Sequence, residues 1–374
     1  MLTLYLHIPF CKARCSYCDF YLVTGTEHID AFFSALSLET ASRSADLKGK
    51  RVGAIHIGGG TPSMVPVHYL AAWLEGIAGM CSFSPDIEIA LEANPEDLDG
   101  KKMDELRAAG ITRLSIGAQS FLPEKLHVLG RAHTALQAQQ VTVGALQRFE
   151  SVSVDLICGV PGENLSIWSA DLDKALSLRP HHISVYMLSV EPKTILHRKI
   201  AKGMVTVPDD AVQATLFERA QSELLLNGYN HYEVSNFSLP GYHSRYNLAT
   251  WKREPYVGFG PSAHSFFVSE ESEVRTANVS SLVRYLGAPA NAVAFHEELS
   301  AEERFTEQVF LSLRINSGLD VDFLRKENKL GHSRLQSITR FEESGWIEQQ
   351  EGRLYLTEKG FLFADLIAEK FIFG

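Results

Sequence analysis

His7-Ile-Pro-Phe-Cys11-Lys-Ala-Arg-Cys15-Ser-Tyr-Cys18-Asp-Phe20 carries three cysteines in C-x3-C-x2-C spacing. It follows directly on an apolar run, Leu2-Thr-Leu-Tyr-Leu-His-Ile8, that reads as a strand. Thiolates are soft ligands suited to iron–sulfur clusters and zinc. A [4Fe–4S] cube usually takes four cysteines, so three on one loop leave one iron without a protein ligand and open to an exchangeable chelate. Two other readings of the residues stay open: a zinc site completed by His7 or Asp19, and a buried cluster of inert thiols. Zinc sites more often show a C-x2-C pair with a second pair further on, and Cys81 and Cys158 each stand alone.

Outward from that loop, short β-rich runs alternate with amphipathic stretches. The strands are expected at Leu2–Ile8, Ala54–Ile57, Ile87–Glu92, Arg113–Gly117, Val152–Ile157 and His182–Leu188. Helical periodicity falls between them, over Ile29–Thr40, Tyr69–Met80, Lys102–Ala109, Ala135–Leu146 and Leu165–Leu178. Strand–helix alternation of this kind implies a parallel α/β sheet. Several strands run straight into Gly58-Gly-Gly-Thr61, Glu92-Ala-Asn94, Gln119-Ser120 and Gly159. Ligand sites in such folds lie at the carboxyl edge of the strands, so these segments are expected to converge on one mouth.

From Tyr229 to Phe267 the pattern turns irregular and aromatic, and a polar stretch follows to Thr276. Beyond Leu299, helical patterns at Glu302–Ile315 and Ser333–Glu343 precede a hairpin, Trp346–Gln349 with Leu354–Leu356 around Glu351-Gly352. That is a winged-helix-like arrangement. Arg334 and Arg340 are diluted by Glu342 and Glu343, which favours a structural or docking role over DNA binding. The expected division is 1–235 as a core barrel, 236–298 as a barrel extension and connecting segment, and 299–374 as a C-terminal helical domain covering part of the mouth.

Composition narrows the class further. With 374 residues, 45% hydrophobic and 21% charged, the chain is an ordinary globular one. Its net charge of −10 argues against a nucleic-acid footprint. No run reaches the ~18 apolar residues of a transmembrane helix, and Leu2–Ile8 lacks the basic leader of a signal peptide. Five cysteines, unevenly spread, do not make a disulfide framework. A cytoplasmic protein without a membrane span is expected.

The cysteine spacing, with Tyr17 before the third cysteine, resembles the signature of the radical S-adenosylmethionine (SAM) superfamily. Tyr5, the His7–Cys11 run, Gly58-Gly-Gly-Thr-Pro-Ser63, Glu92-Ala-Asn-Pro95, Gly117-Ala-Gln-Ser-Phe121 and Leu129-Gly-Arg131 narrow the likeness across essentially the whole chain. Together they resemble the oxygen-independent coproporphyrinogen III oxidase family. The resemblance implies a partial (β/α)6 TIM-like barrel and a C-terminal helical, winged-helix-like domain. It also implies a [4Fe–4S] cluster on Cys11, Cys15 and Cys18, with SAM on its open iron, to be cleaved by one electron. By the same resemblance Tyr5, Tyr17, Gly59, Gly60, Thr61, Glu92, Gln119, Arg131 and Asp155 bind SAM, and a flavodoxin or ferredoxin serves as reductant.

Two branches of the family differ in function. The decarboxylases convert coproporphyrinogen III to protoporphyrinogen IX and carry a fourth cysteine, C-x3-C-x2-C-x-C. Here that position is Phe20. This likeness favours the haem-chaperone, HemW-like branch, which hands haem to acceptor proteins, with decarboxylation as the alternative. That branch usually carries H-N-x-x-Y-W for haem. The matching stretch here is Tyr246-Asn-Leu-Ala-Thr-Trp251, with Tyr246 and Thr250 in the His and Tyr positions. Tyr246 or His243 is therefore the expected haem ligand, the other reading of the stretch being an aromatic patch that closes the barrel. His264 is a further candidate for the cavity wall.

Overall fold

The computed structural model describes residues 1–327 and 329–373. Six strands run parallel in sequence order: β1 (Leu2–Ile8), β2 (Arg51–Gly59), β3 (Ser82–Ala93), β4 (Arg113–Gln119), β5 (Ser151–Cys158) and β6 (His182–Met187). Between and after them lie α1 (Ile29–Ser42), α2 (Val67–Ala78), α3 (Gly100–Ala108), α4 (Pro123–Leu129), α5 (Ala135–Leu146), α6 (Leu165–Leu178), α7 (Ile195–Ala201), α8 (Asp210–Leu226) and α9 (Arg245–Trp251). The expected alternation thus holds, with strand ends shifted by a few residues.

The irregular reading of Tyr229–Phe267 is corrected. Asn236–Ser238 (β8) pairs antiparallel with β6, and Asn230–Glu233 (β7) pairs antiparallel with β8. Tyr256–Phe259 (β9) lies parallel to β1 on its other side, and His264–Val268 (β10), Glu273–Asn278 (β11) and Val293–Glu298 (β12) continue outward antiparallel. One twelve-stranded sheet results, in the order β12-β11-β10-β9-β1-β2-β3-β4-β5-β6-β8-β7. β7 and β9 have four residues each and β8 has three, too few to show a two-residue period, and pairing with long neighbours supplies what their own sequence lacks.

Alternation along β1 explains the barrel wall. Leu2, Leu4, Leu6 and Ile8 pack outward against Phe32, Phe33 and Leu36 of α1 in the main core, with Ile55 and Ile57 of β2. The intervening Tyr5 and His7, with His56 of β2, face a polar interior. Side chains of α9 enter that interior from the amino edge: Tyr246 stacks on His56 at 4.8 Å and on Tyr5 at 6.1 Å between ring centroids. Glu88 of β3 accepts from the backbone N–H groups of Arg245 (3.0 Å) and Tyr246 (3.3 Å), holding the start of α9 in place.

The last 75 residues build their own core around Phe305, Val309, Leu324, Phe341, Leu354, Ile367 and Phe371. A three-stranded sheet joins Leu319–Asp320 to the expected hairpin, Ile347–Gln350 with Arg353–Leu356. This unit docks on the β7 edge, where Val234 N–H donates to Arg314 O at 2.9 Å and Asn316 N–H to Tyr232 O at 3.0 Å. That placement corrects the expectation of a cover over the mouth, because the side chains lining the mouth all come from residues 11–191. No described helix is long and apolar enough to cross a membrane.

Candidate functional site: a thiol-rimmed cavity at the carboxyl edge of the barrel

A cavity of about 460 Å³ opens at the carboxyl ends of β1 to β6. Cys11, Cys15, Tyr17 and Cys18 form one wall, Gly59, Gly60, Thr61 and Glu92 the next, and Gln119, Arg131, Asp155 and Tyr186 the remainder. Of the fourteen residues expected to bind the cluster, SAM or haem near this mouth, Cys11, Cys15, Cys18, Tyr17, Gly59, Gly60, Thr61, Glu92, Gln119, Arg131 and Asp155 are brought together here. Tyr5 is not. Its hydroxyl pairs with His7 Nδ1 at 3.0 Å and its ring lies in the interior stack, because the strand register puts it two residues below the level of Glu92 at the rim. Tyr246 and His243 do not line the cavity either. His264 is exposed at the start of β10 and plays no part in it.

All five cysteines are free thiols. Burial pushes the Cys11 thiol up, partly offset by the hydrogen bond from Thr61 Oγ1 (3.2 Å), and burial likewise raises Cys18. A metal taking these sulfurs must therefore displace protons. Arg131 Nη1 donates to Cys15 Sγ at 3.3 Å. Arg131 Nη2 reaches Asn94 Oδ1 and the Gly117 carbonyl (3.1 Å), while its Nε is buried without a partner. His7 is excluded as a further metal ligand in this arrangement. Its Nδ1 meets Tyr5 and its Nε2 lies 3.1 Å from the Tyr21 carbonyl. Among the described residues no three His, Cys, Asp or Glu side chains close on a single ion. Three free thiols lining one cavity, with a cation beside one sulfur, suit the larger cluster in donor chemistry.

The glycine run is required by its surroundings. A Cβ on Gly60 would lie 2.6 Å from the Phe10 carbonyl oxygen, and one on Gly58 2.7 Å from Glu92 Oε1. Gly59 adopts φ +106°, open only to glycine at low cost. Its N–H donates to Glu92 Oε2 at 3.2 Å, and His56 Nε2 lies 2.8 Å from Oε1. Glu92 is thus oriented, yet its side chain stays 40% exposed to the cavity, as a group meant for a cationic or hydroxyl-bearing ligand would be. Asp155 accepts from Ser115 at 3.1 Å. Burial raises its pKa to about 6, against the hydrogen bond from Ser184, with the Glu92 charge adding to the rise.

Sequence reasoning missed the support beneath this wall. Lys125 of α4 is buried between Glu163 (2.5 Å) and Asp171 (2.8 Å) and also donates to the Ile157 carbonyl at 3.0 Å. Glu163 accepts from Gly159 N–H (2.6 Å), and Asp171 from Ser120 Oγ and Phe121 N–H (both 2.6 Å). The triad therefore clamps the turns after β4 and β5, and next to Ser120 it holds Gln119 at φ +62°. A charged residue inside an apolar helical pattern was the only available signal. Asn94 and His56 were also missed as site residues, although Asn94 lies in a quoted motif and His56 alternates with Gly58 along β2.

A partial parallel barrel with a three-thiol loop after its first strand is a radical SAM protein. The Radical SAM superfamily model matches residues 5–175, and the HemN C-terminal domain model matches 299–363. The chain is 33% identical to "Heme chaperone HemW" of Lactococcus lactis over 98% of this chain and 96% of that one. It is 33% identical to the protein of the same name from Bacillus subtilis over 100% and 99%. Against that of Mycobacterium tuberculosis the figures are 34% over 97% and 93%. In fold it matches coproporphyrinogen III oxidase (HemN) of Escherichia coli with TM-score 0.84 and 23% identity, covering 99% of this chain and 89% of that one. The chain belongs to the HemW family. Membership of the radical SAM superfamily implies a [4Fe–4S] cluster and SAM, which together supply one-electron chemistry when bound. The chain's own part is to hold the thiols, orient Glu92 and place Arg131 between the sulfur of Cys15 and the loop of Asn94.

Proposed function

We propose that this protein is a haem chaperone: it binds haem and passes it to acceptor proteins, and carries a [4Fe–4S] cluster on Cys11, Cys15 and Cys18 with exchangeable SAM. The observation that carries the reading is full-length identity of 33–34% to relatives named as haem chaperones. Phe20, in place of the decarboxylases' fourth cysteine, agrees with it. Gly59, Gly60, Thr61, Glu92, Gln119, Arg131 and Asp155 hold SAM in this proposal, with Tyr17 packed beside the thiols.

For haem, His243 is the better of the two candidate ligands. Its Nε2 lacks a hydrogen-bond partner, whereas Tyr246 is stacked against His56 and Tyr5. The His243 ring lies against Tyr232 at 4.4 Å and its Nε2 is shielded, so ligation requires the segment before α9 to shift. The test is an anaerobic haem titration of the cluster-loaded protein, followed by transfer to an apo haem protein such as apomyoglobin. A saturable Soret shift near one haem per chain, lost in His243→Ala, is expected. Absence of binding overturns the proposal, and decarboxylation of coproporphyrinogen III with SAM and a reductant would replace it.

A further inference from the structure

The segment after β6 is basic in an acidic protein. Between Leu188 and Val207 it holds Lys193, Arg198, Lys199 and Lys202 with one carboxylate, Glu191, whereas the whole chain carries 45 acidic against 35 basic residues. Lys193, Arg198 and Lys202 are exposed, and none of the four forms an ion pair among the described residues. Other exposed cations have carboxylate partners: Lys12 pairs with Asp97 and Arg245 with Asp86. An exposed run of unmatched positive charge creates a local potential that the net charge opposes.

This run lies against the thiol loop. Leu196 N–H in α7 donates to the Ser16 carbonyl at 2.7 Å, between Cys15 and Cys18. Leu196 belongs to a small core with Leu129, Ile157, Val160 and Leu188, against which Tyr17 and Ile200 pack. On the loop itself Arg14 is exposed and donates only to backbone carbonyls of Cys18, Phe20 and Leu22. Phe20 is 64% exposed and also lines the cavity. Arg14 thus sits on the loop that carries the exposed Phe20 beside the three thiols, and α7, which bears Arg198, packs against that loop at Ser16.

We infer that α7 and its flanks, with Arg14 and Phe20, form the docking surface for a small acidic electron-carrier protein. A charged rim around a small apolar centre steers encounter and sets orientation. Its position beside the thiol loop matches a partner that must come close to the cluster without entering the cavity. Docking orients the carrier so that it gives up one electron and the cluster gains one, with no bond or proton involved. The inference rests on the cluster assignment and not on haem binding.

The test uses flavodoxin as the probe. Its affinity is measured for the protein with and without cluster, for Arg198→Glu/Lys202→Glu, and for Lys48→Glu/Lys50→Glu. The last is an equal charge change in exposed positions just before the start of β2, at the amino ends of the strands and away from the thiol loop. Wild-type affinity is expected to fall by ~10-fold or more between about 0.01 M and 0.15 M ionic strength. The α7 variant should bind ~10-fold more weakly at low salt, with the Lys48/Lys50 variant near wild type. Bleaching of the cluster by reduced flavodoxin should slow in the α7 variant while bleaching by dithionite is unchanged. Salt-independent binding, or equal weakening by both variants, overturns the inference. Failure of the haem titration leaves these readouts unaffected, and cluster-free protein that still binds separates docking from loading.

Discussion

Arg131 donates a hydrogen bond from Nη1 to Cys15 Sγ across 3.3 Å, joining the turn after α4 to a thiol more than a hundred positions earlier in the chain. The guanidinium is buried and cannot lose its charge, so it stabilises negative charge on the sulfur. In the loaded protein Arg131→Ala is expected to keep its iron and to shift the cluster's midpoint potential downward by tens of millivolts, read by a redox titration. An unchanged potential would mean that the contact does not persist in the loaded state.

The thiols themselves are separable. Cys11→Ala, Cys15→Ala and Cys18→Ala should each lose the cluster, measured as iron and sulfide after anaerobic reconstitution. Cys158→Ser should not, because Cys158 is packed in a core with Leu156, Trp168 and Val185, and burial raises its pKa to about 12.

Glu92 is held by Gly59 N–H and His56 and remains open to the cavity. A charge-assisted hydrogen bond is worth roughly 1.5–3 kcal/mol. Glu92→Gln should therefore weaken SAM binding by roughly 10- to 100-fold with the cluster chromophore intact, followed by the change in the cluster's EPR signal on SAM titration.

Asp155 makes stability fall as pH rises. Burial raises its folded-state pKa from 3.8 to about 6, so between those values the folded chain holds more protons than the unfolded one. This contribution is absent below about pH 4 and costs at most about 3 kcal/mol above about pH 6. Asp155→Asn should flatten that part of the curve and raise the urea midpoint at pH 7. A parallel pH profile in both proteins would contradict it.

Lys125→Met leaves Glu163 and Asp171 buried without their shared cation. Breaking a buried ionic network from one side costs about 3–5 kcal/mol, which should appear as a lowered urea midpoint. If the triad also holds Gln119 in place, Lys125→Arg should recover SAM affinity more than stability, since the longer side chain keeps the charge but overfills the site.

Much of the site was legible because its parts are local. Three cysteines within eight residues, a glycine run at a strand end and a carboxylate two residues before an asparagine each announce a loop at the carboxyl edge. Strand parity is also local and puts Tyr5 on the same inner face as Glu92, but two residues further from the carboxyl edge, where its ring joins the interior stack with His56 and Tyr246.

By itself the sequence determined the thiol loop, the alternation of strands and helices, and the edge at which ligand-bearing turns gather, since those depend on spacing within a few residues. Tertiary structure decided the rest. It made Tyr256–Phe259 a seventh parallel strand, placed α9 at the amino edge of the barrel with Tyr246 inside it, and docked the C-terminal unit on the β7 edge and not over the mouth. It also closed Lys125 between Glu163 and Asp171, and Arg131 onto Cys15. These contacts join positions tens to hundreds of residues apart, and their geometry exists only once barrel closure fixes the register of every strand.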